Sequence, residues 1–375
     1  MTSIWLRTVA WSGRHRGELR LALRITVAAL LAFELAHLLA LRQGYWAVLT
    51  AVIVTQATVG GSLKAATDRL VGTLGGGAYG VLVASLVPVG NPLWHGLALA
   101  LLLGPLAIAA ALRPGLRVAP VTAIIVLLGS TSQGIGLLPS ALERIFEIAL
   151  GSAVAFAVSL LVVPTRAHAQ LAEAAANVLD LLAQLAPALL PGLTDQPTPA
   201  QTHEIYRRIR GALAKLEGFA EEARRERASL LTAEPDPEPV LRTVRRLRHD
   251  FVMIDRATRE PLDASIAGPL LPALSELSTV LVGFLRRSAE AFRRRGLPPV
   301  LDDFRHALMT FHAAMAEIRR AGLTRNLAGE AAARVFGLAF ALEQLARDLD
   351  DLASRARERA GDGRSDDRGG TISRS

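Results

Sequence analysis

Six apolar stretches follow one another in the first 165 residues, and a lipid bilayer is the solvent that best accommodates such a run. A helix needs about 20 largely apolar residues to cross the hydrocarbon core. The stretches are Leu21–Leu41, Tyr45–Gly60, Leu70–Val89, Leu93–Leu112, Val118–Ser132 and Ile145–Val163. The second and fifth are short, so the bilayer thins there or their ends are interfacial. Between them stand turn and break residues: Arg42-Gln43-Gly44, Pro88 to Pro92, Arg113-Pro114-Gly115 and Gly134 to Pro139. Residues 1–20 are basic, as in a secretory signal. Ile25–Leu41, however, carries Glu34 and His37, and no small-x-small cleavage site follows. The first stretch is therefore read as a retained helix.

The chain has 375 residues and a formal charge of +8. Residues 1–168 hold 12 Lys+Arg against 5 Asp+Glu, whereas the rest is nearly balanced, with 30 against 29. The excess sits at the ends of apolar stretches and not on a basic face with interleaved aromatics, which argues against nucleic acid as a partner. Lys64 and Arg69, Arg113 and Arg117, and Arg166 mark alternate connections, together with the N-terminus. Positive charge stays on the cytoplasmic side. Both termini are thus expected in the cytoplasm of a multi-pass inner-membrane protein. Tyr45, Trp46 and Trp94 are expected in an aromatic belt at the outer boundary.

After Pro164 the chain turns charged, and apolar residues recur at helical spacing. Val240, Val244, Leu247, Phe251 and Ile254 form one stripe. Leu301, Phe304, Leu308, Phe311, Met315 and Ile318 form another, and Leu338, Leu342, Leu345, Leu349 and Leu352 a third. These predict an all-α chain, with a six-helix transmembrane bundle over 21–164 and a cytoplasmic bundle of about six helices over 165–360. Residues 361–375 are polar and Gly- and Asp-rich and read as a disordered tail. Leu270–Leu285 is apolar, but Pro272 and Glu276 interrupt it within 16 residues, so it reads as a buried bundle helix and not a seventh span.

Cysteine is absent, which excludes disulfides, thiolate metal sites and Cys nucleophiles. Gly75, Gly77 and Gly80 spell G-x-G-x-x-G, but inside an apolar stretch with no preceding strand. Gly72, Gly76 and Gly80 give the same stretch a small-xxx-small face, which lets helix backbones approach closely in lipid. Neither a P-loop nor a hydrolase motif is present, and no cofactor is called for. His203, His249, His306 and His312 are read as ordinary histidines, since the spacing of the last pair does not put both on one helical face.

Three groups remain as candidates. Glu34 and His37 share a face of the first stretch, as a proton or substrate site or as a pair that holds helices together. Arg144 and Glu147 begin the sixth, either as a simple i,i+3 ion pair or with Arg144 offering a carboxylate its two-pronged fork. Arg24, Lys64, Arg69, Arg113 and Arg117 gather at the cytoplasmic rim, either to set topology or as a vestibule that concentrates anions.

The stretch Tyr45-Trp46-Ala47-Val48-Leu49-Thr50, with Gln56, Gly61-Ser62, Asp68-Arg69-Leu70 and Gly72-Thr73-Leu74-Gly75-Gly76, resembles the fusaric acid resistance and aromatic acid exporter family over about residues 20–165. The plant aluminium-activated malate transporters resemble it more distantly. The resemblance implies a membrane bundle that exports or conducts organic anions, with a cytoplasmic helical domain. Arg69 and Gly72-Thr73 match the family pattern. The longest members carry two membrane halves and this chain one, which implies a homodimer with its path near the interface. The reading that follows is an inner-membrane exporter of small, possibly aromatic, carboxylates driven by the proton gradient. A passive anion channel of the same fold and a non-transporting membrane-anchored sensor or scaffold are the alternatives.

Overall fold

A computed structural model describes residues 16–87, 92–133, 137–190, 199–229, 231–260, 264–325 and 329–369. The breaks expected around Pro88, Gly134, Pro191 and Pro261 lie wholly or partly outside the described residues, as do the first 15 residues. All regular structure among the described residues is helical. The chain divides into two compact units, residues 1–166 and 167–375.

The first unit holds α1 (Arg16–Leu38), α2 (Tyr45–Val54), α3 (Val59–Leu86), α4 (Pro92–Leu112), α5 (Val118–Gln133) and α6 (Leu137–Leu161). Each apolar stretch has become a helix, but the helices differ in length. The ten residues of α2 span only about 15 Å at 1.5 Å per residue, half of a bilayer core. The 28 residues of α3 are more than enough. By length and composition α1, α3 and α6 can cross a membrane; α2, α4 and α5 give shorter apolar helices.

The start of α3 differs most from the sequence expectation. Its polar lead, read as a connection up to Arg69, is helical from Val59. The Thr58 hydroxyl caps the first turn by accepting from the Gly61 N–H at 3.0 Å. Lys64 then pairs with Asp68 one turn on, at 2.5 Å. This early start carries Arg69 into the bundle.

Close backbone crossings hold the unit together. Along α3, Gly72, Gly76 and Gly80 meet α5: a Cβ on Gly76 would lie 2.2 Å from the Ala119 carbonyl oxygen. Gly151 of α6 does the same against α2, where a Cβ would lie 2.3 Å from the Ala47 carbonyl oxygen. Gly75 and Gly77, the other members of the nucleotide-like motif, face open space. Around these crossings sit two apolar clusters. One joins α1, α2, α3 and α6 (Ala28, Ala51, Val54, Ala155); the other joins α3, α4 and α5 (Val83, Leu102, Ala123).

The second unit holds α7 (Ala167–Leu189), α8 (Pro199–Ala228), α9 (Glu238–Thr258), α10 (Ala264–Arg294), α11 (Asp302–Arg320) and α12 (Gly329–Gly369). Its single core takes one face of each helix, including all of Phe304, Phe311 and Leu342 at full burial. Glu226 of α8 accepts from the Ala167 backbone N–H through both carboxylate oxygens, at 3.0 and 3.1 Å, and so caps α7. Running 31 residues through Pro269 and Pro272, α10 is also long and apolar enough to cross a membrane by those criteria. Its Leu270, Leu274, Leu281 and Phe284 are buried in the unit's own core. The last helix continues to Gly369, past the tail expected from Gly361. Residues 370–375 lie outside the described residues.

Candidate functional site

Between the start of α2, α5 and the first turns of α6 lies a cavity of about 370 Å³. Arg144 and Glu147 reach it from α6, Gln43 and Trp46 from the start of α2, and Ile124, Ile125 and Leu128 form its apolar wall. Two turns into α6, the Arg144 side chain is only 4% exposed. Its guanidinium stacks on Trp46, with Cζ 3.4 Å from the ring centroid. That contact covers one face of the cation and suits a desolvated site. The Trp46 indole N–H donates to Gln43 Oε1 at 3.1 Å, and the Gln43 backbone N–H donates to Glu147 Oε1 at 3.1 Å. Arg144 and Glu147 stand 3.8 Å apart (Nη1 to Oε2), an ion pair without a hydrogen bond. Arg144 Nε and Nη1 are buried with no acceptor. Buried guanidinium donors without an acceptor are costly, which makes Arg144 the candidate anion-binding group of this cavity.

Two more guanidiniums are buried in this unit. Arg69 donates from Nε to the Thr50 hydroxyl at 3.0 Å. Arg24 donates from Nη2 to the Ala57 carbonyl at 2.7 Å, while its Nε and Nη1 have no acceptor. The chain positions met by Arg144 (through Glu147), Arg69 and Arg24 are Gln43, Thr50 and Ala57, each seven residues from the next. Seven residues are two helical turns, about 10 Å where the backbone is helical. Of these positions only Thr50 lies within α2; Gln43 precedes the helix and Ala57 follows it.

Several sequence expectations change on this geometry. Glu34 and His37 do not enter the cavity: both are exposed on the outer face of α1, among Leu30, Phe33 and Leu38. Nor do the five basic residues form one vestibule. Arg24 and Arg69 are buried singly, Lys64 is neutralised by Asp68, and Arg113 and Arg117 are exposed on the turn that Asp68 packs against at Gly115. Trp46 stacks on Arg144; the side chain of Trp94 lies outside the described residues. Trp46, Gln43 and Gly151 are the residues that sequence reasoning missed. A Trp with a Gln three residues before it is a one-turn pair, the signal that was available for the first two.

Two relatives named "Uncharacterized transporter YdhK" are 37% identical to this chain. The one from Salmonella typhimurium (strain LT2) matches over 79 residues, 21% of this chain and 12% of that protein. The one from Escherichia coli (strain K12) matches over 83 residues, 22% and 12%. This chain thus meets these curated relatives over about an eighth of their length. A family profile accounts for far more, residues 18–372, and so extends through the second unit, well beyond the motifs around Trp46 and Arg69. With that match over nearly its whole length, the chain belongs to the fusaric acid resistance protein family.

Proposed function

We propose that the chain is a membrane transporter that exports small organic carboxylates, aromatic ones among them, across the inner membrane. The observation that carries this reading is Arg144: buried, stacked on Trp46, and facing a cavity with two guanidinium donors unused. Nε and Nη1 lie on different edges of the guanidinium, so a carboxylate would take its two parallel hydrogen bonds from an edge shared with Nη2. The apolar wall of Ile124, Ile125 and Leu128 suits a ring or alkyl body. Arg69 and Arg24 are two further buried cations of the same unit, at Thr50 and Ala57. The family and the transporter names of the relatives support the same class, and an enzyme is not called for.

Glu147 is where protons act. As a carboxylate it competes with the substrate for Arg144; once protonated it releases the fork. Anion and proton therefore occupy the site together, and substrate affinity rises as Glu147 takes up its proton. The proton stays on Glu147 while the monoanion leaves, so the outward pull comes from the electrical component of the proton gradient, about 2.3 kcal/mol per charge per 100 mV. In this reading all six apolar helices lie within the membrane, both termini are cytoplasmic, and a second copy covers Glu34 and His37. A charge facing lipid costs about 2.5–3.5 kcal/mol even on the gentlest insertion scale, which favours burying that face in a homodimer.

Flux of labelled benzoate in proteoliposomes under an imposed potential tests the proposal. Arg144→Gln is expected to abolish flux. Glu147→Gln is expected to keep it and remove its pH dependence. Normal flux through Arg144→Gln overturns the reading. The channel alternative draws on the buried arginines, and millisecond conductance steps in planar bilayers would select it over an exporter.

A further inference from the structure

The second unit has a cleft of about 590 Å³ between α9 and α12, and it is lined by charge. The two helices run antiparallel there. Thr243 and Arg246 reach Asp351, and Arg246 also meets Asp348, at 3.3 Å. Asp351 is saturated: besides Arg246 it accepts from Thr243 at 2.6 Å and from Arg355 at 3.1 Å. Asp348 accepts from Gln344 at 3.5 Å as well. The two carboxylates of the cleft are thus held by Arg246 and Arg355.

That leaves Arg242 on α9 and Arg347 on α12. Both line the cleft, both are exposed, and neither has an ion pair or hydrogen bond among the described residues. Arg355 also pairs with Glu358, at 2.7 Å, so four guanidiniums meet three carboxylates and the cleft keeps a net positive charge, with Arg242 and Arg347 unpaired on opposite walls. The rest of the lining is Pro239 and Gln344, so no aromatic or aliphatic wall is present to hold a ring. Recognition here is by charge and by oxygen geometry alone.

We propose that this cleft binds a compact soluble polyanion through its phosphoryl groups, at Arg242 and Arg347, as a site separate from the carboxylate cavity at Arg144. A carboxylate carries one charge on two oxygens, and Asp351 already shows it shared by two arginines. A phosphoryl group carries up to twice that charge on three oxygens, and so matches two unpaired guanidiniums on two helices better. The volume lies within the range of small-molecule sites. Without a stacking surface, the ligand is a small phosphate ester or pyrophosphate and not a nucleobase carrier.

The test titrates pyrophosphate into the full chain, purified in lipid-free detergent, by calorimetry at constant ionic strength. Saturable binding is expected, with Kd raised at least tenfold in Arg242→Ala and in Arg347→Ala. Both side chains are exposed, so the variants should fold, and their ligand-free melting temperatures check this. Arg305→Ala, elsewhere on the same unit, and Arg144→Gln should bind like the unaltered chain, so this result stands or falls independently of the transport reading. The proposal is overturned if pyrophosphate shows no saturable binding, or if neither arginine variant weakens it. Citrate binding as tight as pyrophosphate, or a response seen only after anionic lipid is added, overturns it equally.

Discussion

Replacing Trp46 separates the stacking from the hydrogen bonding that holds Arg144 in place. The indole lies 3.4 Å from Arg144 Cζ, and its N–H reaches Gln43 at 3.1 Å. For a desolvated pair the cation–π contact contributes about 2 kcal/mol. One tenfold change in an equilibrium constant corresponds to about 1.4 kcal/mol, so Trp46→Leu should weaken the binding of a carboxylate about 30-fold. Trp46→Phe keeps an aromatic face and loses chiefly the bond to Gln43, about 1 kcal/mol, so it should cost less than tenfold. The assay is the concentration dependence of labelled benzoate uptake into proteoliposomes, with each variant first shown to be monodisperse by size exclusion. The expected order of affinity is unaltered chain, then Phe, then Leu. An unchanged affinity in Trp46→Leu, or equal losses in the two variants, would refute the idea that the ring positions the guanidinium.

Three further outcomes follow from the packing and the charges. Gly76→Ala puts a methyl 2.2 Å from a backbone oxygen of Ala119, which no rotamer relieves, so it should cost about 1–3 kcal/mol and lower the detergent melting temperature; Gly75→Ala, in open space, should leave it unchanged. Phe311→Ala empties a fully buried site of the second unit and should destabilise the protein by about 3–5 kcal/mol, read by thermal melts of the full chain. Burial, with Asp348 beside it, pushes the Asp250 carboxyl up to about 8 against the pull of Arg246 and Arg347. Between the ordinary carboxylate value near 3.9 and about 8, the folded state keeps a proton that the unfolded chain has lost, so stability falls as pH rises through that window. Asp250→Asn should flatten the dependence between pH 5 and 9 and raise the melting temperature most at the alkaline end; a variant that tracks the unaltered protein at every pH would refute it.

Periodicity carried most of the fold because one face of each helix had to be apolar. The stripes at Phe304–Ile318 and Leu338–Leu352 are buried as their spacing requires, and so is Gly72–Gly80 against α5. Helix starts were less legible, because local capping outweighs composition. Gly60-Gly61-Ser62 followed by Lys64 and Asp68 reads as a polar connection. The Thr58 cap, the Lys64–Asp68 pair and the burial of Gly60, Gly61 and Ser62 support its helical form, and that start places Arg69 inside. The second unit hid its buried carboxylate in the same way. Asp250 lies among charged residues in the sequence, yet it is seven residues after Thr243 and shares its buried face.

The candidate site was half legible for a related reason. Arg144 and Glu147 stood out as charges at the head of an apolar stretch, but their meaning depended on what lay across from them. An i,i+3 pair that satisfied itself would be structural and nothing more. Here the pair is 3.8 Å apart, because Glu147 is drawn toward the Gln43 backbone N–H and Arg144 toward the Trp46 ring. Each group has a second partner from α2, and that competition leaves two guanidinium donors unused. The crossing at Gly151 brings α2 close enough for this to happen, since any side chain there would collide with the Ala47 carbonyl. A glycine one turn below Glu147 thus sets the helix spacing on which an anion-binding arginine depends.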